Sequence, residues 1–182
     1  MDLKLELTNK SNAYIIKNLL VPYRHDMSEY NGQLPNKHGI MSQNDSIRLL
    51  DPYTAVISKE WWKHPDGLLP YLFIFDGVPA GFCLVWRTAY NPDGDAEAEK
   101  MDYLMDQFFI LRPYRRKGIG QKAAVECFRQ HSGRWVLHVM ANYEIALSFW
   151  RKTIGGYMST EFVEEVGLRD GREMVTFQFN NG

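Results

Sequence analysis

Three basic residues and two glycines stand together in the run Arg115-Arg116-Lys117-Gly118-Ile119-Gly120, and their chemistry suits the binding of a phosphorylated ligand. The first N–H groups of a helix have no partner inside it, the macrodipole adds positive potential, and glycine has no Cβ to hold a ligand off the backbone. A phosphate or pyrophosphate binds at such a helix start. A basic loop capping an ordinary helix is the plainer reading of these six residues taken alone, and the flanking segments weigh against it. Phe108, Phe109, Ile110 and Leu111 form a short apolar run suited to a strand buried on both faces, and Pro113 ends its ladder. Ile119, Ala123, Ala124, Cys127 and Phe128 then recur at helical spacing. The stretch 106–131 therefore reads as strand, phosphate loop, helix. It lacks both the nucleoside triphosphate loop, GxxxxGK with Ser or Thr, and the dinucleotide GxGxxG.

The rest of the chain must position that loop. With 182 residues, 45% of them hydrophobic, it is long enough for one well-buried domain over 1–182 and short for two. A net charge of −1 argues against nucleic acid as partner, since such binding needs a basic excess. No run of about 18 apolar residues appears, and the N-terminal ten residues lack the apolar segment of a signal peptide, so no membrane association and a cytoplasmic location are expected. Cys83 and Cys127 both lie in apolar contexts and read as core residues. His25, His38, His64 and His131 have no partner at ligand spacing, and no metal is expected.

In chain order, Leu3, Leu5 and Leu7 alternate with polar residues and predict a half-exposed first strand. A helix follows from Ser11 to about Tyr30 on Ala13, Ile16, Leu19, Leu20 and Tyr23, with Pro22 expected to split it in two. Residues 31–44 read as an irregular loop, and Trp61 and Trp62 as a short helix used for packing. Tyr71 to Phe75 and Val78 to Arg87 predict a hairpin about Asp76-Gly77. An acidic loop over 91–99 leads into the central strand. Trp135 to Met140 reads as a strand and Asn142 to Lys152 as a helix, followed by a turn at Gly155-Gly156. Ser159 to Val166 and Met174 to Asn180, joined through Asp170-Gly171, predict a terminal hairpin.

The pattern Arg115-x-x-Gly118-x-Gly120 after a buried strand resembles the acetyl-coenzyme A motif of the GNAT-fold N-acetyltransferases. The segment holding Tyr23, Asp26, Ser28 and Glu29 resembles the first helix of a subgroup of predicted acetyltransferases in that family, where it walls the acceptor site. ANYEIALSFW resembles the second cofactor segment, with its asparagine, Asn142, one residue early and Trp150 where many members carry a tyrosine acid. The order of elements also matches. The resemblance implies an α/β (α+β) GNAT fold: a mixed, mostly antiparallel sheet of six to seven strands flanked by helices, with central strands splayed for coenzyme A. It implies backbone pairing of the pantetheine arm with Phe109, Ile110 and Leu111, and a phosphate site built from Arg115, Arg116, Lys117, Gly118, Ile119 and Gly120. Asn142 and Trp150 complete the expected cofactor set.

The implied reaction moves an acetyl group from acetyl-coenzyme A, a co-substrate, to a primary amine of a small molecule or peptide by direct attack. An amine attacks only when neutral, so a base must take its proton. Asp106, nine residues before Arg115, is the first candidate, with a plain charge at the strand margin as the alternative. It shares a strand face with Asp102, Leu104 and Phe108 unless a bulge intervenes. His138 is the second candidate, against a hydrogen-bonded core role. An indole is too weak an acid to protonate a thiolate, so Tyr143 and Tyr157 are the candidate acids, and both can equally be packing residues. Asp26, Glu29, Asp102 and Asp106 favour a cationic acceptor. The protein is expected to be a monomer or homodimer. A coenzyme A-binding regulatory module with little or no catalysis is the alternative, motivated by Trp150 and the displaced Asn142.

Overall fold

The computed structural model describes residues 2–9, 11–37, 39, 41, 66–90, 100–158 and 161–182. Trp61, Trp62, His38, His64 and the acidic loop over 91–99 lie outside the described residues. Seven strands form one sheet: β1 (Leu3–Leu7), β2 (Leu68–Phe75), β3 (Val78–Arg87), β4 (Tyr103–Ile110), β5 (Arg134–Met140), β6 (Val163–Arg169) and β7 (Arg172–Asn180). Their spatial order is β1-β2-β3-β4-β5-β7-β6. Every neighbouring pair is antiparallel except β4 and β5. Among the described residues the α-helices are α1 (Ala13–Asn31), α2 (Ile119–Arg129) and α3 (Glu144–Tyr157).

Strand alternation divides the apolar side chains between two faces. Ala13, Ile16, Leu19 and Leu20 of α1 pack on one face against Leu72, Phe82, Leu84 and Phe109. On the other, Ala123, Cys127 and Phe128 of α2 and Leu147, Trp150 and Ile154 of α3 cover Phe73, Val85, Trp135, Leu137 and Phe177. Burial of such side chains stabilises by about 1.5–3 kcal/mol each before entropy is charged against it. Cys83 and Cys127 are buried core thiols with Sγ atoms 3.7 Å apart.

Pro22 does not split α1, which runs unbroken to Gly32, a left-handed C-cap whose N–H bonds the Ser28 carbonyl. The carbonyl released by the missing N–H belongs to Asn18, on the exposed side where water can satisfy it. The apolar face continues past the proline through Tyr23, which packs edge-on against Phe82 and Phe109. Nor do Gly155 and Gly156 form a turn. The helix carries them to Tyr157 because Thr153 and Ile154 are buried and the Met158 N–H closes on the Ile154 carbonyl, so packing overrides weak helix propensity. β2 starts at Leu68, three residues before the expected strand, and β6, Val163–Arg169, runs past the expected end at Val166, with Ser159 outside the described residues.

Two irregularities in β4 matter for the site. Leu84 faces Gln107 while Val85 faces Met105, so Asp106 is the extra residue of a bulge. Met105 and Phe108 consequently pack on the α2/α3 face, while Leu104 and Phe109 belong to the other. The shared face expected for Leu104 and Phe108 is broken at Asp106. The parallel pairing with β5 covers only Tyr103, Leu104 and Met105. Beyond Met105 the two strands part.

Candidate active site

The parting of β4 and β5 opens a cavity of about 510 Å³. β4 contributes Met105, Asp106 and Phe108, and β5 contributes Leu137 through Met140. Tyr23, Met27 and Asn31 of α1 wall it on one side and Ala146 and Trp150 of α3 on another, with Tyr143 at the start of that helix. Arg169, Asp170, Arg172 and Met174 reach it from the β6–β7 hairpin. Asp106, His138, Tyr143 and Trp150 thus line one space although they are spread over 45 positions of sequence. Tyr157 does not line it. Its hydroxyl accepts a hydrogen bond from the Asn181 amide at 3.2 Å and its ring lies against Phe128, so it belongs to the core.

The bulge directs the Asp106 carboxylate into this opening, where it is exposed. His138 faces Thr176 across the β5–β7 ladder, and its Nδ1 lies 2.9 Å from the Thr176 hydroxyl, which fixes the ring plane. Tyr143 stacks on Tyr30 with centroids 3.7 Å apart. Burial, then the neighbouring Tyr30, pushes the Tyr143 phenol above its usual range and keeps it protonated. Tyr23 is displaced the same way, by burial first and the Asp106 charge next. Trp150 is buried against Phe108, Phe128 and Phe149, with its ring forming part of the cavity wall.

The loop after β4 ends in an uncapped helix. No side chain caps α2 and no acid occupies its first turn, so its first N–H groups are open to an anion. Arg116 and Gly118 hold left-handed φ angles of 61° and 75°, turning the backbone N–H groups about a concave loop. A Cβ on Gly118 would point into open space. Gly120 also serves packing: its Cβ would stand 3.2 Å from the Phe149 ring, so this glycine lets α2 approach α3. Ile119 is buried and anchors the turn, while Arg116 and Lys117 are exposed beside it.

Arg115 is committed to the protein. Its Nε donates to the Ile110 carbonyl at 2.7 Å and its Nη2 to Asp26 at 2.6 Å, with the guanidinium 5.3 Å from the Phe109 ring centroid. Arg112 donates to the same carboxylate through Nη2 at 2.8 Å. Burial opposes the Asp26 charge, but hydrogen bonds from Arg112 and Arg115 hold its pKa below the ordinary value. Asp26 therefore clamps α1 to the loop between β4 and α2.

The Leu111 N–H donates to the Ala80 carbonyl on the β3 side, so alternation turns Ile110 and Phe108 toward the open edge and Phe109 with Leu111 away from it. Of the three residues expected to pair with pantetheine, only Ile110 faces the opening, and its carbonyl already accepts from Arg115. Phe108 is the edge residue that sequence reasoning missed. Asn142 donates to the Tyr30 carbonyl and ties α3 to the end of α1. Tyr23, in the segment expected to wall the acceptor site, lines the cavity; Arg169 and Arg172 also line it and escaped the sequence reading, since nothing local marked them.

The chain matches the acetyltransferase (GNAT) family over residues 38–155, about two thirds of its length. It belongs to that family. No curated protein matches the chain. Solved structures share the fold at low identity. An acetyltransferase from Thermus thermophilus is 14% identical, covering 99% of this chain and 97% of its own at a TM-score of 0.61. Aminoglycoside acetyltransferase AAC(6')-Ib in complex with coenzyme A is 16% identical over 98% of this chain and 95% of its own, with a TM-score of 0.62. Spermidine N-acetyltransferase from Vibrio cholerae, in complex with coenzyme A and spermine, is 15% identical over 98% and 95%, with a TM-score of 0.60. The GNAT chain is thus an acyltransferase with acetyl-coenzyme A as co-substrate. The uncapped α2, its flanking cations and the open β4 edge suit that molecule's pyrophosphate and amides. Among the described residues no cluster of metal-ligating side chains occurs, and no helix is long and apolar enough to cross a membrane.

Proposed function

We propose that this GNAT protein is an N-acetyltransferase that acylates a primary amine by direct attack. The observation that carries the reading is a single cavity at the β4–β5 parting, holding Asp106 at its bulge beside His138 and Tyr143. Acetyl-coenzyme A supplies the thioester. Arg116, Lys117 and the open N–H groups at 118–120 hold its pyrophosphate, and the Phe108–Ile110 edge receives the pantetheine amides as an added strand would. Asp106 takes the proton of the acceptor ammonium, directly or through one water, with His138 as the alternative acceptor. The neutral nitrogen forms the new C–N bond as the C–S bond breaks. An N–H at the β4 edge polarises the thioester carbonyl. Tyr143, kept protonated, stands on the cavity wall to give the departing thiolate its proton.

A coenzyme A-binding module with little catalysis is the second reading, favoured by the buried indole of Trp150 in place of an acidic hydroxyl. Steady-state thiol release with an amine panel separates the two. The transferase reading expects amine-dependent release above the hydrolytic background. Acetyl-coenzyme A binding seen by calorimetry, with no amine-dependent release, supports the module instead.

A further inference from the structure

β6 closes one end of the sheet and, among the described residues, has a ladder partner on one side only, β7. Its residues from Val163 to Leu168 are exposed, Val166 at 65% and Leu168 at 82%. Edge strands ordinarily carry a proline, a lysine or a bulge, or stay very short, which discourages pairing with another chain. β1, at the opposite edge, is five residues long and carries Lys4. β6 has none of these devices: it reads Val-Glu-Glu-Val-Gly-Leu-Arg, and its register against β7 is unbroken.

The hairpin fixes which groups the outer edge presents. Arg169 and Arg172 flank the two-residue turn Asp170-Gly171, whose φ angles are 50° and 72°, so they form a hydrogen-bonded pair. By alternation Arg169, Gly167 and Glu165 bond β7 through their backbone groups, while Leu168, Val166 and Glu164 turn theirs outward. Glu164 meets Arg151 of α3, so the side chains of Val166 and Leu168 lie on the α3 face and those of Glu165 and Arg169 on the other.

A second copy of the same strand, antiparallel and related by a two-fold axis at Gly167, matches this edge. Val166 comes opposite Leu168 of the second copy, and Leu168 opposite its Val166, as hydrogen-bonded pairs on one face. Glu165 comes opposite the second copy's Arg169 on the other face, and the reverse. Gly167 meets Gly167 on the axis. An axis at Glu165 would set that acid against its own copy, and one at Val166 would set Leu168 against Glu164. A guanidinium offers several donors, so the contacts of Arg169 inside its own chain are compatible with this one. Glu164 comes level with the second copy's Asp170, and Arg151, held on Glu164, offsets the two acids.

We infer that two copies of this chain associate edge to edge through β6, joining their sheets across a two-fold axis at Gly167. Arg169, Asp170 and Arg172 of the same hairpin line the cavity, so the association steadies one wall of it in each copy.

Sedimentation equilibrium of the full chain is expected to give twice the mass of one chain. Leu168→Asp puts a carboxylate at an exposed position, and Val166→Pro removes an outward N–H that β7 does not use. Each is expected to raise the dimer dissociation constant at least about tenfold while the circular dichroism of the folded chain is retained. Gly167→Cys tests the axis, since a Cβ there meets nothing within 4 Å in one chain. Facing residues of a non-hydrogen-bonded pair stand about 4.5 Å apart at Cα, so oxidation with copper-phenanthroline in air is expected to give a covalent dimer. Cys83 and Cys127 are buried and leave the introduced thiol as the reactive one. A wild-type chain that is monomeric at every concentration tested, a dimer that either folded variant leaves intact, or a Gly167→Cys chain that does not cross-link overturns the inference.

Discussion

Replacing Asp26 by Asn removes the charge of the α1-to-loop clamp while keeping its shape. The carboxylate accepts from Arg112 Nε at 3.2 Å, Arg112 Nη2 at 2.8 Å and Arg115 Nη2 at 2.6 Å. The Asp26 side chain is 11% exposed, Arg115 34% and Arg112 69%. A hydrogen bond to a charged group contributes about 1.5–3 kcal/mol, whereas a solvated surface pair contributes about 0–1 kcal/mol. The Arg115 contact carries most of the effect, and the amide oxygen of Asn recovers part of it. A loss of about 2 kcal/mol follows, which lowers Tm by roughly 4–8 °C in a domain of this size. The sign with pH is fixed by the depressed folded-state pKa: the contribution is complete above the unfolded carboxylate value of about 3.9 and is lost as pH falls through the lower folded value. Urea denaturation of both proteins at pH 7 and pH 3 reads the gap. It is expected to be wide at pH 7 and to narrow at pH 3. A gap below about 0.5 kcal/mol at pH 7, or one equal at both pH values, refutes the clamp.

Three further substitutions address the site. Gly118→Asp and Gly118→Asn both place a residue tolerated at a left-handed N-cap, so their melting temperatures should agree within a few degrees, while the added charge of Asp should weaken acetyl-coenzyme A binding at least about tenfold in calorimetry relative to Asn. Asp106→Asn should lower turnover by about 10² or more with cofactor affinity nearly unchanged; wild-type turnover across pH moves His138 into the base position. Tyr143→Phe should slow turnover more than threefold, whereas Tyr157→Phe should leave turnover alone and cost about 1 kcal/mol of stability through the lost Asn181 bond.

The strand, loop and helix of 106–131 were legible because their cause is local. Glycines, cations and the change from strand to helical period sit within a dozen residues, and the structure places an uncapped helix there. The hairpin at Asp76-Gly77 was legible for the same reason, with both residues at left-handed φ. The family resemblance implied a mixed sheet of six to seven strands, and seven pair in it. What escaped depends on distant partners. Arg115 reads as a phosphate ligand until Asp26, 89 positions earlier, is seen to hold it. Gly120 reads as ligand clearance, and the Phe149 ring beside it adds a packing role that no local pattern shows. The Asp106 bulge has no mark in sequence, because it arises from the register of β3 against β4. Gly155 and Gly156 resemble a turn, and only the burial of Thr153 and Ile154 keeps them helical.

The central claim is that one ligand spans from the start of α2 along the β4 edge into the cavity at Asp106. A crystal structure of the protein with coenzyme A tests it most directly. The account predicts the pyrophosphate on the backbone N–H groups at 118–120, pantetheine amides paired with Phe108 and Ile110, and the sulfur inside the cavity between Asp106 and Trp150. A pyrophosphate bound away from the start of α2, or a thiol outside the β4–β5 opening, would contradict it.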